Sequence, residues 1–127
     1  MVALLRSRGI TGIAGNYDST VATDYKYCGC KAESPRAEEL SHESYQWTRV
    51  HVTPETKEAL GELPFRVDLR PRGGHTSRPQ ITLVPGAPTL NTLYCTEDRP
   101  DSFCTKMARM AGLREGDLIA FGHTHKP

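Results

Sequence analysis

Gly122-His123-Thr124-His125 is the pattern in this sequence best suited to chemistry. Two imidazoles at i and i+2 project from the same side of an extended backbone. The apolar run Leu118-Ile119-Ala120-Phe121 just before them reads as a buried strand. Held at a strand tip, both rings aim at the space beyond it. Imidazole is the commonest metal-ligand side chain, so the pair forms half of a metal site and points to a metal-dependent reaction.

Two further segments collect polar or turn-forming residues where strands are expected to end. They are Gly15-Asn16-Tyr17-Asp18, after a short apolar stretch over 10–14, and Pro85-Gly86-Ala87-Pro88, after Gln80-Ile81-Thr82-Leu83-Val84. In open α/β sheets, ligand sites form outside the carboxyl ends of the strands, and glycine there lets the backbone turn sharply. Taken singly, Gly-Asn-Tyr-Asp reads as an ordinary turn, because Asn and Asp favour turns. Three such loops in this order are more specific.

The elements that would position these loops follow from local patterns. Residues 2–8 read as the last turns of a helix stopped by Gly9. Residues 19–34 are polar and read as irregular. From Pro35 to about Val50, Ala37, Leu40, Tyr45 and Trp47 give a partial helical stripe, with Pro35 suited to a first turn and Tyr45 and Trp47 expected to pack. Thr53-Pro54-Glu55 is a helix start, with Thr as N-cap, Pro at the first position and an acid in the first turn. That helix should stop by Gly61. Phe65-Arg66-Val67-Asp68-Leu69-Arg70 alternates as a half-buried strand does. With the strand over 80–84, it predicts an antiparallel hairpin across a turn-rich connection over 71–79. A helix is expected over 101–111, with Phe103, Met107 and Met110 on one stripe and Gly112 after its end. The class is mixed α/β, in one domain of 127 residues.

Composition narrows the function. The formal net charge is +1, with acids and bases interspersed, so there is no electrostatic footprint for nucleic acid or an anionic membrane. No apolar run approaches the roughly 20 residues of a membrane span. The N-terminus lacks the apolar core and cleavage site of a signal peptide, so a cytoplasmic protein is expected. Cys28, Cys30, Cys95 and Cys104 do not form a disulfide framework. Cys28 and Cys30 flank a single glycine, too close for an ordinary bridge without strain. Cys-x-Cys near His42 could contribute to a zinc site, but the C-x₂-C pairs of structural zinc modules are absent from the sequence. Reduced thiols are the expected state. His75 reads as a solvated loop residue, His42 and His51 as residues on or near helix surfaces, and residues 91–94 as candidates to shape a pocket.

The three loops together resemble those of the calcineurin-like metallophosphoesterases, most closely a small bacterial branch of phosphodiesterase-like and protein-phosphatase-like members. The family pattern runs Asp-x-His, Gly-Asp, Gly-Asn-His-Asp/Glu, a His-Gly turn and Gly-His-x-His, each in a loop after a strand. Here Gly15-Asn16-Tyr17-Asp18 resembles the third block, Pro85-Gly86 the fourth and Gly122-His123-Thr124-His125 the fifth. The resemblance implies a partial αββα sandwich with mixed sheets, residues 1–127 forming one incomplete domain. It also implies hydrolysis of phosphate esters by a hydroxide activated between two divalent ions (Mn, Fe or Zn), roughly 3.5–4 Å apart. Asn16 would supply an amide-oxygen ligand to one metal, His123 an imidazole ligand to that same metal, and His125 a ligand to the other. Asp18 would orient the catalytic group. The partner would be a small phosphorylated substrate or a phosphoprotein.

The departures from the pattern are specific. Tyr17 stands where the family has its catalytic histidine, and a phenol with a pKa of about 10 is a poorer acid at neutral pH. Pro85 stands where the family has a ligand histidine, and proline has no side-chain donor atom to offer. The Asp-x-His and Gly-Asp blocks are expected ahead of Met1, and further strands after Pro127. A chain of this extent is expected to turn over little substrate, or to be a non-catalytic remnant or interaction module. It is also expected to be marginally stable and to self-associate through exposed sheet edges.

Overall fold

The computed structural model describes residues 1–30, 32, 34–70, 79–89 and 96–124. The described residues form a mixed α/β structure of five helices and a three-stranded mixed sheet. They fall into two compact units, Met1–Pro64 and Phe65–Pro127. None of the described helices is long and apolar enough to cross a membrane.

The first unit is helical. Helix α1 (Val2–Ser7) ends where Gly9 takes φ +63°. That left-handed turn lets Gly9 N and Ile10 N donate back to Arg6 O and Leu5 O, both at 3.0 Å. Residues 10–14, expected as a strand, are irregular in the structure. Gly12 weakens strand formation, and the backbone bonds elsewhere: Ala14 N donates to Pro64 O at 2.9 Å.

Residues 16–22 correct a second expectation. They form helix α2 (Asn16–Ala22), where a turn and then irregular chain were anticipated. Its hydroxyl side chains are satisfied on the preceding turn, Ser19 Oγ donating to Gly15 O and Thr20 Oγ1 to Asn16 O. Val21 is buried on its inner face. Tertiary burial outweighs the modest helix propensity of Asn, Ser and Thr.

Helix α3 (Pro35–His51) starts as expected, Ser34 Oγ accepting from Ala37 N at 3.2 Å. Helix α4 (Pro54–Gly61) likewise starts at Thr53, whose Oγ1 accepts from Thr56 N at 3.3 Å. The centre of the unit is Tyr45 of α3, fully buried, with Ala14, Val21 and Ala59 also buried. The Tyr45 hydroxyl donates to Tyr25 O at 2.7 Å, which satisfies the one polar group of a large apolar side chain. Trp47 does not join this core. It is 62 % exposed and stacks on His51 one turn later, with ring centroids 4.1 Å apart.

The second unit carries strands β1 (Val67–Leu69), β2 (Ile81–Val84) and β3 (Leu118–Phe121), in the order β1-β2-β3, and helix α5 (Asp101–Met110). The hairpin pairing is as expected, β1 antiparallel to β2 from Val67↔Leu83 to Leu69↔Ile81. Most of the connection, 71–78, lies outside the described residues. Strand β3 runs parallel to β2, from Ile81↔Leu118 to Val84↔Phe121. A parallel neighbour needs a crossover, and α5 lies within that connection. Along β2, Thr82 and Val84 are buried. On α5, Met107 is buried and Met110 is largely exposed, so the expected stripe is only partly inward. Gly112, at φ +70°, follows the helix end. Leu118 and Phe121 of β3 are exposed, a correction to the buried strand expected from the apolar run. Ile119 is half-buried.

Candidate functional site

In the first unit, the Gly-Asn-Tyr-Asp block is the start of a helix. Gly15 is the N-cap of α2, with φ −73° and ψ 179°. Its N–H donates to Asp18 Oδ2 at 2.9 Å. This is one half of a capping box, and glycine has no side chain to complete the other half. A Cβ at position 15 would lie 3.3 Å from the same carboxylate oxygen. Asp18 therefore fixes the entry of the chain into the helix.

Tyr17 and Asn16 each reach toward α3 or the segment before it. The Tyr17 ring meets Tyr45 edge-on, centroids 5.2 Å apart at 75°. Its hydroxyl donates to Ser41 O over a long 3.4 Å. Asn16 Nδ2 donates to Cys30 Sγ at 3.2 Å. The three residues of this block are thus gathered at one helix start, in contacts that hold local structure.

The cysteines overturn the expectation of reduced thiols at 28 and 30. The structure joins Cys28 to Cys30, with Cα atoms 5.3 Å apart. That separation lies inside the ordinary span for a bridge. Gly29 between them takes φ +72°, a conformation that suits glycine. Cys104 is a free, exposed thiol; Cys95 lies outside the described residues.

This bridge forms one wall of a cleft of about 580 Å³ that the resemblance did not foresee. Tyr27, Cys28 and Cys30 face Glu38, Ser41 and His42 of α3 across it. His42 is therefore a cleft residue as well as a helix residue. The Cys-x-Cys spacing was the sequence signal for this site, and only the fold brings Asn16 and Ser41 to the two sulfurs.

In the second unit, β2 and β3 deliver their following loops to one sheet edge. Because the strands are parallel and end in register at Val84↔Phe121, Pro85 and Gly122 leave the sheet side by side. A Cβ on Gly122 would stand 3.6 Å from Pro85 O. His123 follows at φ +76°. A left-handed conformation at a non-glycine residue costs free energy and marks a position imposed by its surroundings. The imidazole is half-buried, with Nε2 shielded from solvent. His125, the other proposed ligand, lies outside the described residues, as do His75 and residues 91–94.

The donors present do not fit a centre of two divalent ions. Pro85 contributes no donor, and one oxygen of Asp18 already holds Gly15 N–H. Asn16, His123 and His125 then remain, where two ions would each need four or more ligands. Among the described residues, no three His, Cys, Asp or Glu side chains converge to hold a metal ion. Compared with known proteins, the chain matches no family model, no curated protein and no solved structure.

Proposed function

We propose that this chain is a metallophosphoesterase-type domain, a partial αββα sandwich, whose site is directed at phosphate esters and turns them over little or not at all. The observation that supports this reading is the parallel β2–β3 pair, which places Pro85-Gly86 beside Gly122-His123 at one carboxyl edge. Crevices at such edges are where α/β sheets bind ligands. His123, left-handed and half-buried, follows Gly122 at that edge, with His125 two residues on in the sequence. The ligand class is a small phosphate ester or a phosphorylated protein side chain.

The experiment is hydrolysis of bis-p-nitrophenyl phosphate and p-nitrophenyl phosphate by the full chain, with and without manganese. Little or no turnover is expected, together with weak phosphate-ester binding by calorimetry that His123→Ala reduces. Rapid manganese-dependent hydrolysis that His123→Ala abolishes would overturn the claim of impaired turnover. Absence of any phosphate-ester binding would overturn the site itself.

A second reading, a non-catalytic interaction module, is favoured by a different observation. Asn16, Tyr17 and Asp18 are occupied with Cys30, Ser41 and Gly15, which are contacts of a packed helix start.

A further inference from the structure

We propose that Cys28 and Cys30 form a thiol–disulfide exchange site that takes low-molecular-weight thiols and disulfides in the cleft beside α3. The proposal does not depend on the phosphoesterase reading. Both cysteines are half-buried and line a cleft of about 580 Å³, in the size range of small-molecule sites.

The donors around the two sulfurs are unequal. Cys28 Sγ accepts the Cys30 backbone N–H at 3.1 Å. It also has Ser41 Oγ at 3.8 Å, where the hydroxyl must be the donor because a bridged sulfur carries no hydrogen. Cys30 Sγ accepts from Asn16 Nδ2 at 3.2 Å. Hydrogen bonds to a thiolate stabilise it and lower its pKa. Cys28, with two donors, is the better leaving thiolate, so an incoming thiolate attacks Cys30.

The exchange then balances as follows. A small thiolate RS⁻ attacks Cys30 Sγ; the Sγ–Sγ bond breaks and its electron pair leaves on Cys28 Sγ, which takes a proton. A second RS⁻ attacks the R-bearing sulfur of the mixed disulfide, releasing RSSR and the Cys30 thiolate, which is protonated in turn. Two RSH are oxidised to RSSR, and their two electrons and two protons reside on Cys28 and Cys30. The reverse reaction uses RSSR as oxidant. The one-residue spacing keeps Cys28 close to the mixed disulfide, so reclosure is intramolecular and fast.

The test uses the full chain with Cys95→Ser and Cys104→Ser, so that only Cys28 and Cys30 report. The protein is equilibrated in mixtures of reduced and oxidised glutathione, acid-quenched, alkylated and read by intact mass. Reversible two-electron interconversion is expected while circular dichroism stays native. Adding Cys28→Ser should trap a glutathione adduct on Cys30. Ser41→Ala, which removes one donor to the leaving sulfur, should slow reduction roughly three- to tenfold. Three results would each overturn the proposal. They are failure to interconvert across the full range of glutathione ratios, no adduct on Cys30 in a folded Cys28→Ser protein, or a reduction rate in the folded chain no different from that in urea. Because the parent protein itself is titrated, a variant that fails to fold leaves the first and third readouts intact.

Discussion

Asp117 ties the beginnings of two parallel strands together: its Oδ1 accepts the backbone N–H of Gln80 at 2.8 Å. Its Oδ2 accepts from Arg114 N at 2.9 Å, and the next residue, Leu118, donates its N–H to Gln80 O at 2.8 Å. One carboxylate thus closes the turn before β3 and sets the register of β3 on β2. That register places Gly122 and His123 beside Pro85 at the opposite end of the strands.

The latch has a pH signature. The backbone N–H donors of Arg114 and Gln80 hold the Asp117 carboxyl below the usual carboxylate range. The folded state therefore binds the proton more weakly than the unfolded chain. The stabilisation is complete above the ordinary aspartate value of about 3.9 and is lost as pH falls through the lowered folded value. Asp117→Asn should lower the melting temperature at neutral pH, and the gap from the parent should close in acid. A gap that is the same at neutral and at strongly acidic pH would contradict the assignment.

Thr82, on the central strand β2, is a buried polar hub. Its hydroxyl donates to Asp68 Oδ1 at 2.7 Å and accepts from Gln80 Nε2 at 3.1 Å, with Arg66 Nη2 at 3.4 Å. Thr82→Val keeps the shape and removes every one of these bonds. Urea denaturation should show a loss of about 1–3 kcal/mol. Of the Arg66 and Thr82 hydrogen bonds that lower the Asp68 pKa, the substitution removes the second.

The two tyrosines at the α2–α3 contact should behave differently. Tyr45 is fully buried, and Tyr45→Ala should cost about 3–5 kcal/mol, as large aromatic truncations in cores do. The Tyr17 hydroxyl makes one long contact, to Ser41 O. Tyr17→Phe should change stability by no more than about 1 kcal/mol and leave any phosphate-ester hydrolysis unaltered. Loss of measurable hydrolysis in that variant would return Tyr17 to a catalytic role.

His123 separates stability from function. With φ +76° it occupies a conformation that glycine adopts freely. His123→Gly should raise stability by about 1 kcal/mol while removing the imidazole and any manganese-induced rise in melting temperature. A variant less stable than the parent would show that the ring contributes more through packing than the backbone conformation costs.

Elements whose boundaries are written in adjacent residues were legible directly. Thr53-Pro54 starts α4, Pro35 opens α3 and Gly112 follows α5, because caps act within a single helical turn. The β1–β2 hairpin was legible from alternation and the turn-rich connection over 71–79. Residues 10–14 and 16–22 were misread because a strand exists only through its neighbour and α2 only through the burial of Val21. Trp47 was misread because helical spacing defines a face without saying whether anything covers it.

For the candidate sites the division is similar. The sequence by itself determined which donors exist: imidazoles at 123 and 125, a proline at 85, a tyrosine at 17 and two thiols a residue apart. Tertiary structure alone decided their company. Parallel pairing of β2 with β3 set Gly122 against Pro85, and helix formation from Asn16 turned an amide toward Cys30. The reason is physical: the chemistry of a side chain is local, whereas its partners come from distant segments and are fixed only when the chain packs.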